Sequence, residues 1–244
     1  GWFLNEGKYY YIKDGEIVKK KILEINGAYY AFKADGVMVD ASDNKYEGNE
    51  FYFTDESGKY IYCRAKEDGS LYTSLWVQDD FGNWKYYCED GHRAVSELVI
   101  INGNTYYFNY NGEMTQGGSA GNDLFDESGI QIKNAGWNQT GGKWYYLNSN
   151  GAMQTGWVLE RGNWYHLNST GKMQTGWQKL SGVWYYFKAG GKMAVNGWQK
   201  IGGKWYYMDK NGAMQESRWI SGTYYVKADG SMAVSEWVDQ DRYY

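Results

Sequence analysis

Tryptophan is the residue whose spacing in this chain could do chemistry. It recurs in pairs, Trp137 with Trp144, Trp157 with Trp164, Trp177 with Trp184 and Trp198 with Trp205, always seven positions apart. A methionine keeps the same step at Met153, Met173, Met193 and Met214. Two indoles on one face, closed by a third ring, make a cage for a cation. The methyl groups of a quaternary ammonium pack on the rings, and its charge is drawn to their quadrupoles. A desolvated contact of this kind is worth about 2 kcal/mol or more, so one cage binds weakly and several act together. Methionine would add a soft, adaptable wall.

The elements that must hold these rings are short. GWNQTGGKWYYLNSNGAMQT, from Gly136, is followed by GWVLERGNWYHLNSTGKMQT, GWQKLSGVWYYFKAGGKMAVN and GWQKIGGKWYYMDKNGAMQES. A fixed period near 20 residues is the signature of a repeat architecture. Each unit reads as one hairpin: in the first, Trp137 to Gln139 is strand one, Gly141-Gly142 is the turn, and Lys143 to Leu147 is strand two. Side chains alternate along a strand, so Trp144 and Tyr146 share a face, Tyr145 takes the other, and Trp137 lies opposite Tyr146. A lone hairpin is marginal in water, so the units must stack. The predicted fold is all-β, a solenoid of stacked β-hairpin repeats. In such a stack the third ring of each cage is the middle Tyr of the following repeat.

Residues 1–135 repeat more loosely. GAYYAFKADGVM, NEFYFTDESG and GNTYYFNYNGEM fit the frame, with Tyr10, Tyr30, Tyr52 and Tyr106 as middle aromatics. Ile22 and Leu98 stand where the leading Trp should be. Residues 54–75 and 115–135 fit worst and read as irregular connections. The charge divides in the same place. Residues 1–135 carry 13 basic and 22 acidic side chains, net −9, and three tryptophans; residues 136–244 carry 12 and 7, net +5, and ten tryptophans. We therefore expect a divergent, acidic region over 1–135 and regular repeats over 136–244, in one continuous solenoid.

The composition narrows the function classes. Aromatics are 19% of the chain, with 26 Tyr, 33 Gly and no Pro, and the mean hydropathy is −0.72. No apolar run of eighteen residues exists, so no membrane helix or membrane insertion is expected. No signal peptide is visible at the start. Cys63 and Cys88 form no CxxC pair, and only His92 and His166 could join them on a metal, so no metal site is expected. A hydrolase needs a positioned acid, base or nucleophile, and the two histidines lie 74 positions apart. Asp79-Asp80 and Glu67-Asp68 read as solvated turns. Asp40 opens a faint calcium-loop pattern without its glycine and terminal Glu, and Asn138 and Asn168 match the loose glycosylation pattern. The acidity of the whole chain argues against nucleic acid. The expectation is a binding protein, not an enzyme.

The motif GW-x6-WYYLN-x2-G-x-M, tandem from Gly136 to about Trp219, resembles the choline-binding repeats of pneumococcal and related cell-surface proteins. The resemblance is specific over the last 109 residues and looser over the first 135. It implies a left-handed superhelix that binds choline or phosphocholine on teichoic and lipoteichoic acids, with no cofactor, in a secreted protein held at the bacterial cell wall. Carried over position by position, it implies choline-binding cages of Trp137, Trp144 and Tyr165; Trp157, Trp164 and Tyr185; Trp177, Trp184 and Tyr206; and Trp198, Trp205 and Tyr224. Trp219 opens a shortened unit with Thr223 at the second Trp position, so no ordinary cage is expected there. Trp76 and Trp84 are the only comparable early pair, at a spacing one residue longer. Lys143, Lys179 or Lys204 could meet a phosphate beside the choline.

Three classes fit these residues. One is a stand-alone surface protein whose acidic region contacts proteins or regulates wall hydrolases. Another is the anchoring module of a larger wall hydrolase; Arg242-Tyr243-Tyr244 stops partway through a hairpin begun at Trp237, which suggests further sequence. The third is a glucan or other carbohydrate binder whose sugars stack on the rings.

Overall fold

The computed structural model describes residues 1–45, 50–239 and 242–243. The described residues are almost wholly β, with one 3-10 turn at Ala41–Asp43 and no α-helix. Hairpins follow one another along the chain: Trp2–Asn5 with Lys8–Lys13, Lys21–Ile25 with Ala28–Phe32, Phe51–Thr54 with Tyr60–Cys63, Leu75–Gln78 with Trp84–Tyr87, and Glu97–Ile101 with Asn104–Phe108. After Gly118–Ala120, Asp123–Phe125 and Gln131–Ile132 come four regular hairpins. These are Gly136–Thr140 with Lys143–Leu147, Gly156–Glu160 with Asn163–Leu167, Gly176–Leu180 with Val183–Phe187, and Gly197–Ile201 with Lys204–Met208. Arg218–Ile220 with Tyr224–Val226 and Trp237–Asp239 with Arg242–Tyr243 complete the series. Two compact units result, Gly1–Ala120 with Phe125–Gln131, and Gly121–Leu124 with Ile132–Tyr244.

The register is the one the turn dictates. Trp137 pairs with Tyr146, Asn138 with Tyr145 and Gln139 with Trp144. Gly141 and Gly142 both have positive φ, +56° and +67°, as the tight type I′ connection requires. Trp137, Gln139, Trp144 and Tyr146 therefore share one face, and Tyr145 takes the other.

Each unit is held along one buried column. The last residue of strand two, Leu147, Leu167, Phe187, Met208 and Val226 in turn, is fully buried. Each such side chain is worth about 1.5–3 kcal/mol, a gain no isolated hairpin could make. The same residues form bridges back to the loop methionines: Leu147 with Met153, Leu167 with Met173 and Phe187 with Met193. Stacking is then hydrogen-bonded, because each methionine N–H donates to the preceding hairpin. Met173 bonds the Trp144 carbonyl, Met193 that of Trp164, Met214 that of Trp184 and Met232 that of Trp205, each at 2.8 Å.

Two expectations fail. The stretches 54–75 and 115–135 are not irregular. Tyr60–Cys63 is a second strand, Ala65 bridges to Leu71, and 115–135 contributes three strands. Tyr52 is also misplaced, because Phe51–Thr54 is the first strand of its hairpin, with Tyr52 opposite Tyr62. The Asp55-to-Lys59 turn is longer than the two-residue turn of the regular repeats, so the aromatic triplet falls on strand one rather than strand two.

Candidate functional site

Between successive hairpins of the second unit the aromatic rings converge. Trp137 lies 4.8 Å from Tyr165, ring centroid to centroid, and 5.1 Å from its strand partner Tyr146. Trp157 lies 6.1 Å from Trp164 and 5.1 Å from Tyr185. Trp177 lies 6.2 Å from Trp184 and 4.8 Å from Tyr206. Trp198 lies 5.5 Å from Tyr224. The Trp–Trp planes cross at 89° and 87° in the second and third sets, so two indoles form a corner, with the next hairpin's Tyr against the first of them. Trp144, Trp164, Trp184 and Trp205 remain about 40% exposed, whereas Tyr165 is only 8% exposed. The second indole is thus a free wall and Tyr165 a packed one, whereas Tyr224 in the last set is 40% exposed.

The first and fourth sets each line a cavity. Trp137, Trp144, Tyr165 and Met173, with Ala189 and Gly190 from the loop after, line a cavity of about 300 Å³. Trp198, Trp205, Tyr224 and Met232 line another of about 300 Å³. The methionine wall therefore comes from the hairpin after the tryptophan pair. Met173, Met193 and Met214 stand next to the Trp144, Trp164 and Trp184 carbonyls. Met153 does not belong with them: its N–H bonds the Asn122 carbonyl, and it packs on Leu124, Tyr145 and Leu147, where the preceding hairpin has no indole. Met232 is the wall of the last set, because each wall comes from the repeat after its tryptophan pair and not from the pair's own repeat.

Glycine at the loop apex is what leaves room for each methionine. A Cβ on Gly191, whose φ is +80°, would come 2.3 Å from Met173 Sδ. Gly171 stands in the same relation to Met153, Gly212 to Met193 and Gly230 to Met214.

The first unit carries the same arrangement where tryptophans allow it. Trp76 and Trp84 lie 6.2 Å apart at 90°, Trp76 is 5.2 Å from Tyr106, and the Met114 N–H bonds the Trp84 carbonyl at 2.7 Å. Trp76, Trp84, Tyr106, Met114, Gln116, Glu127 and Ser128 line a cavity of about 500 Å³. The extra residue of spacing is absorbed in the Asp79–Asn83 turn, since Gln78 still pairs with Trp84. At the first hairpin Tyr9 takes the second indole's place, 6.4 Å from Trp2 at 88°, with Tyr30 4.9 Å from Trp2 and the Met38 N–H on the Tyr9 carbonyl. Trp219 pairs with Tyr225, and Thr223 leaves that hairpin without a second ring.

The remaining candidates have structural surroundings. His166 takes the place of Tyr146, 5.0 Å from Trp157, with Gln174 on its Nδ1. His92 is held by Asp90 on Nδ1 and by Glu97 on Nε2 at 3.0 Å. The hydrogen bonds of those carboxylates push its pKa up to about 12 despite burial, so it is an ion-pair centre rather than a base poised near neutrality. Cys63 and Cys88 are both buried free thiols, and burial pushes Cys63 up to about 12. Among the described residues no group of three His, Cys, Asp or Glu could hold a metal, and no helix is long and apolar enough to cross a membrane. Asp40 accepts from the Ser42 N–H and caps the short 3-10 turn. Of the lysines, Lys204 pairs with Asp229 at 3.7 Å, and Lys179 lies 5.8 Å from the Trp184 ring centre.

Comparison with known proteins follows these repeats. Choline-binding repeat models match residues 135–173 and 155–198, and a second such model matches 213–244. A cell wall binding repeat matches 97–114 and 196–214. CbpJ from Streptococcus pneumoniae TIGR4 is similar over 98% of this chain and 96% of its own, at 27% identity and a TM-score of 0.57. Choline binding protein F of Streptococcus pneumoniae aligns over 96% of this chain and 92% of its own, at 27% identity and a TM-score of 0.45. Glucosyltransferase-I of Streptococcus downei is 26% identical over 61% of this chain and 9% of its own length. Glucosyltransferase-S of Streptococcus mutans serotype c is 29% identical over 61% and 10%. The chain thus spans about a tenth of the length of the curated relatives it matches. Its repeat matches run through every Trp pair of the second unit and together reach over more than half of its 244 residues, and on that ground the chain belongs to the choline-binding repeat family.

Proposed function

We propose that the chain is a non-catalytic module that attaches a protein to the bacterial cell wall by taking the choline of phosphocholine-bearing teichoic and lipoteichoic acids into the cages between its hairpins. The observation that carries this reading is the right-angled indole corner closed by the next hairpin's Tyr and Met. A trimethylammonium presents methyl groups on three sides, and a corner of rings meets them on three sides. The four sets from Trp137 to Tyr224 are the main sites, and Trp76–Trp84–Tyr106 is a fifth. Trp2–Tyr9–Tyr30 would be weaker, because a phenol replaces the better indole. Weak cages along one chain facing a repeating polymer gain by effective concentration, so retention is set by their number. The acidic first unit would add contacts to proteins, wall hydrolases among them.

The names of the glucosyltransferase relatives favour a second reading, in which the rings hold a glucose polymer. A sugar lies flat on one ring, so a perpendicular second indole helps a cation more than it helps a sugar.

The test is intrinsic tryptophan fluorescence during titration with choline and, separately, with a gluco-oligosaccharide, alongside elution from a quaternary-amine resin. Saturation by choline in the millimolar range with elution supports the proposal. A response to the oligosaccharide alone overturns it in favour of the glucan.

A further inference from the structure

One junction in the first unit keeps the frame of a cage and changes everything inside it. The Arg93 N–H donates to the Tyr62 carbonyl at 2.7 Å, as the Met173 N–H does to Trp144. Arg93 also bridges Tyr87 as Met153 bridges Leu147. Arg93 thus holds the methionine position and Tyr62 the second-ring position. Tyr62 pairs with Tyr52 as Trp144 pairs with Gln139. The leading Trp lies two residues before that partner, which here is Glu50.

The side chains turn this frame inward. The Arg93 guanidinium stands over the Tyr62 ring, 4.5 Å from its centre. Its Nε lies 3.1 Å from Glu50 Oε1, off the hydrogen-bond axis, so that contact is ionic. Another guanidinium nitrogen donates to the Asn111 carbonyl at 2.7 Å, and the Tyr87 hydroxyl donates to Glu50 at 2.6 Å. Arg93 and Glu50 are 7% and 4% exposed. A buried charge persists only when paired and hydrogen-bonded, and this one is paired, hydrogen-bonded and set on an aromatic face.

We propose that Arg93 is a built-in ligand: its guanidinium fills the cation position of the Tyr62 cage, with Glu50 in place of the leading indole, and so closes this junction to choline. This rests on the proposed choline reading of the other cages. Arg93 is then the residue that keeps this one junction from taking a ligand. The first unit is locked here by its own charge, whereas the second unit's cages are filled from outside.

The test counts ligands. Lys85 stands at the third-ring position, since Val77 pairs with Lys85 as Asn138 pairs with Tyr145. The triple variant Glu50→Trp, Lys85→Tyr, Arg93→Met restores all three missing cage positions, and equilibrium dialysis should find one more choline bound per chain than in the wild type. A folded triple variant with unchanged stoichiometry overturns the proposal. Hydrogen exchange on the wild type gives a second readout that does not depend on the variant folding. Saturating choline should slow exchange at the Met114, Met173 and Met193 amides and leave the Arg93 amide unchanged. Equal slowing at Arg93 overturns the proposal. If no amide slows and no choline binds, the choline reading itself has failed, a result distinct from either of these.

Discussion

The backbone N–H of Met173 donates to the carbonyl of Trp144 at 2.8 Å, and this bond joins the fold to the site. It pins the strand that presents an exposed indole to the loop that supplies the opposite wall. The two tryptophans of a cage come from one hairpin and its Tyr and Met from the next, so no cage exists until two hairpins have stacked.

Exposure separates ligand contacts from scaffold contacts within one cage. Trp144 is 41% exposed and Tyr165 8%. Trp144→Ala should leave the melting temperature nearly unchanged. It should weaken choline at that cage by the lost cation–π contact, about 2 kcal/mol or roughly thirtyfold. Tyr165→Ala should cost stability as well, about 3 kcal/mol or more, as for other buried aromatics. Calorimetric titration and thermal melts on the two variants check the split.

A glycine should control a cage it does not touch. Gly191 has φ +80°, and a Cβ there would meet Met173 Sδ at 2.3 Å. Gly191→Ala is expected to destabilise the protein by about 1 kcal/mol or more from the left-handed backbone, and also to push Met173 into the Trp137–Trp144 cavity. Gly142→Ala has a positive φ of +67° and open space around the added atom, so it should lose stability while keeping choline affinity. Equal affinities in the two variants would show that the methionine wall does not matter.

Much of this was legible in the residues. The seven-residue Trp spacing and the Gly-Gly turn dictated register and face, because a two-residue turn leaves one possible pairing. What escaped were positions where one junction borrows from another. Met153 follows two tryptophans in its own repeat, yet its loop serves the hairpin before. The Trp76–Trp84 pair looked displaced by one residue until the Asp79–Asn83 turn absorbed it. In the first unit the same junction is filled four ways: by rings at Trp2, by aliphatic packing of Ile22, Cys63 and Leu71, by Arg93 and Glu50, and by indoles at Trp76. Only the indole solution leaves a spacing pattern; Arg93 and Glu50 lie 43 positions apart, and nothing local links them.

Stability and ligand binding should answer differently to pH. His92 is raised to about 12 by Asp90 and Glu97, so its contribution is complete below about pH 6.5, its unfolded value, and declines as pH climbs toward 12. Asp90 and Glu97 are both lowered by hydrogen bonds to His92, so their contribution is present above the ordinary carboxylate range and is lost on acidification. Thermal stability of the first unit should therefore be greatest between about pH 5 and 6.5, and His92→Gln should flatten that profile. Choline affinity should stay level from pH 6 to 8, since a trimethylammonium does not titrate. Melts and titrations across that range check both.

Lysines beside the cages should distinguish choline from phosphocholine. Lys179 lies 5.8 Å from the Trp184 ring centre and Lys200 5.9 Å from that of Trp205. Each sits on the strand opposite its indole, since Lys179 pairs with Trp184 and Lys200 with Trp205. A positive charge so close, well within the screening length of about 8 Å at physiological salt, repels the bound trimethylammonium and attracts a phosphate attached to it. For free choline only the repulsion acts; for phosphocholine the attraction opposes it. Reversing both charges with Lys179→Glu and Lys200→Glu should therefore tighten free choline and loosen phosphocholine, opposite signs from one change. Both shifts should shrink as salt is raised. Titrating the double variant with each ligand at low and high salt checks this, and shifts of the same sign for both ligands would rule out a phosphate beside these lysines.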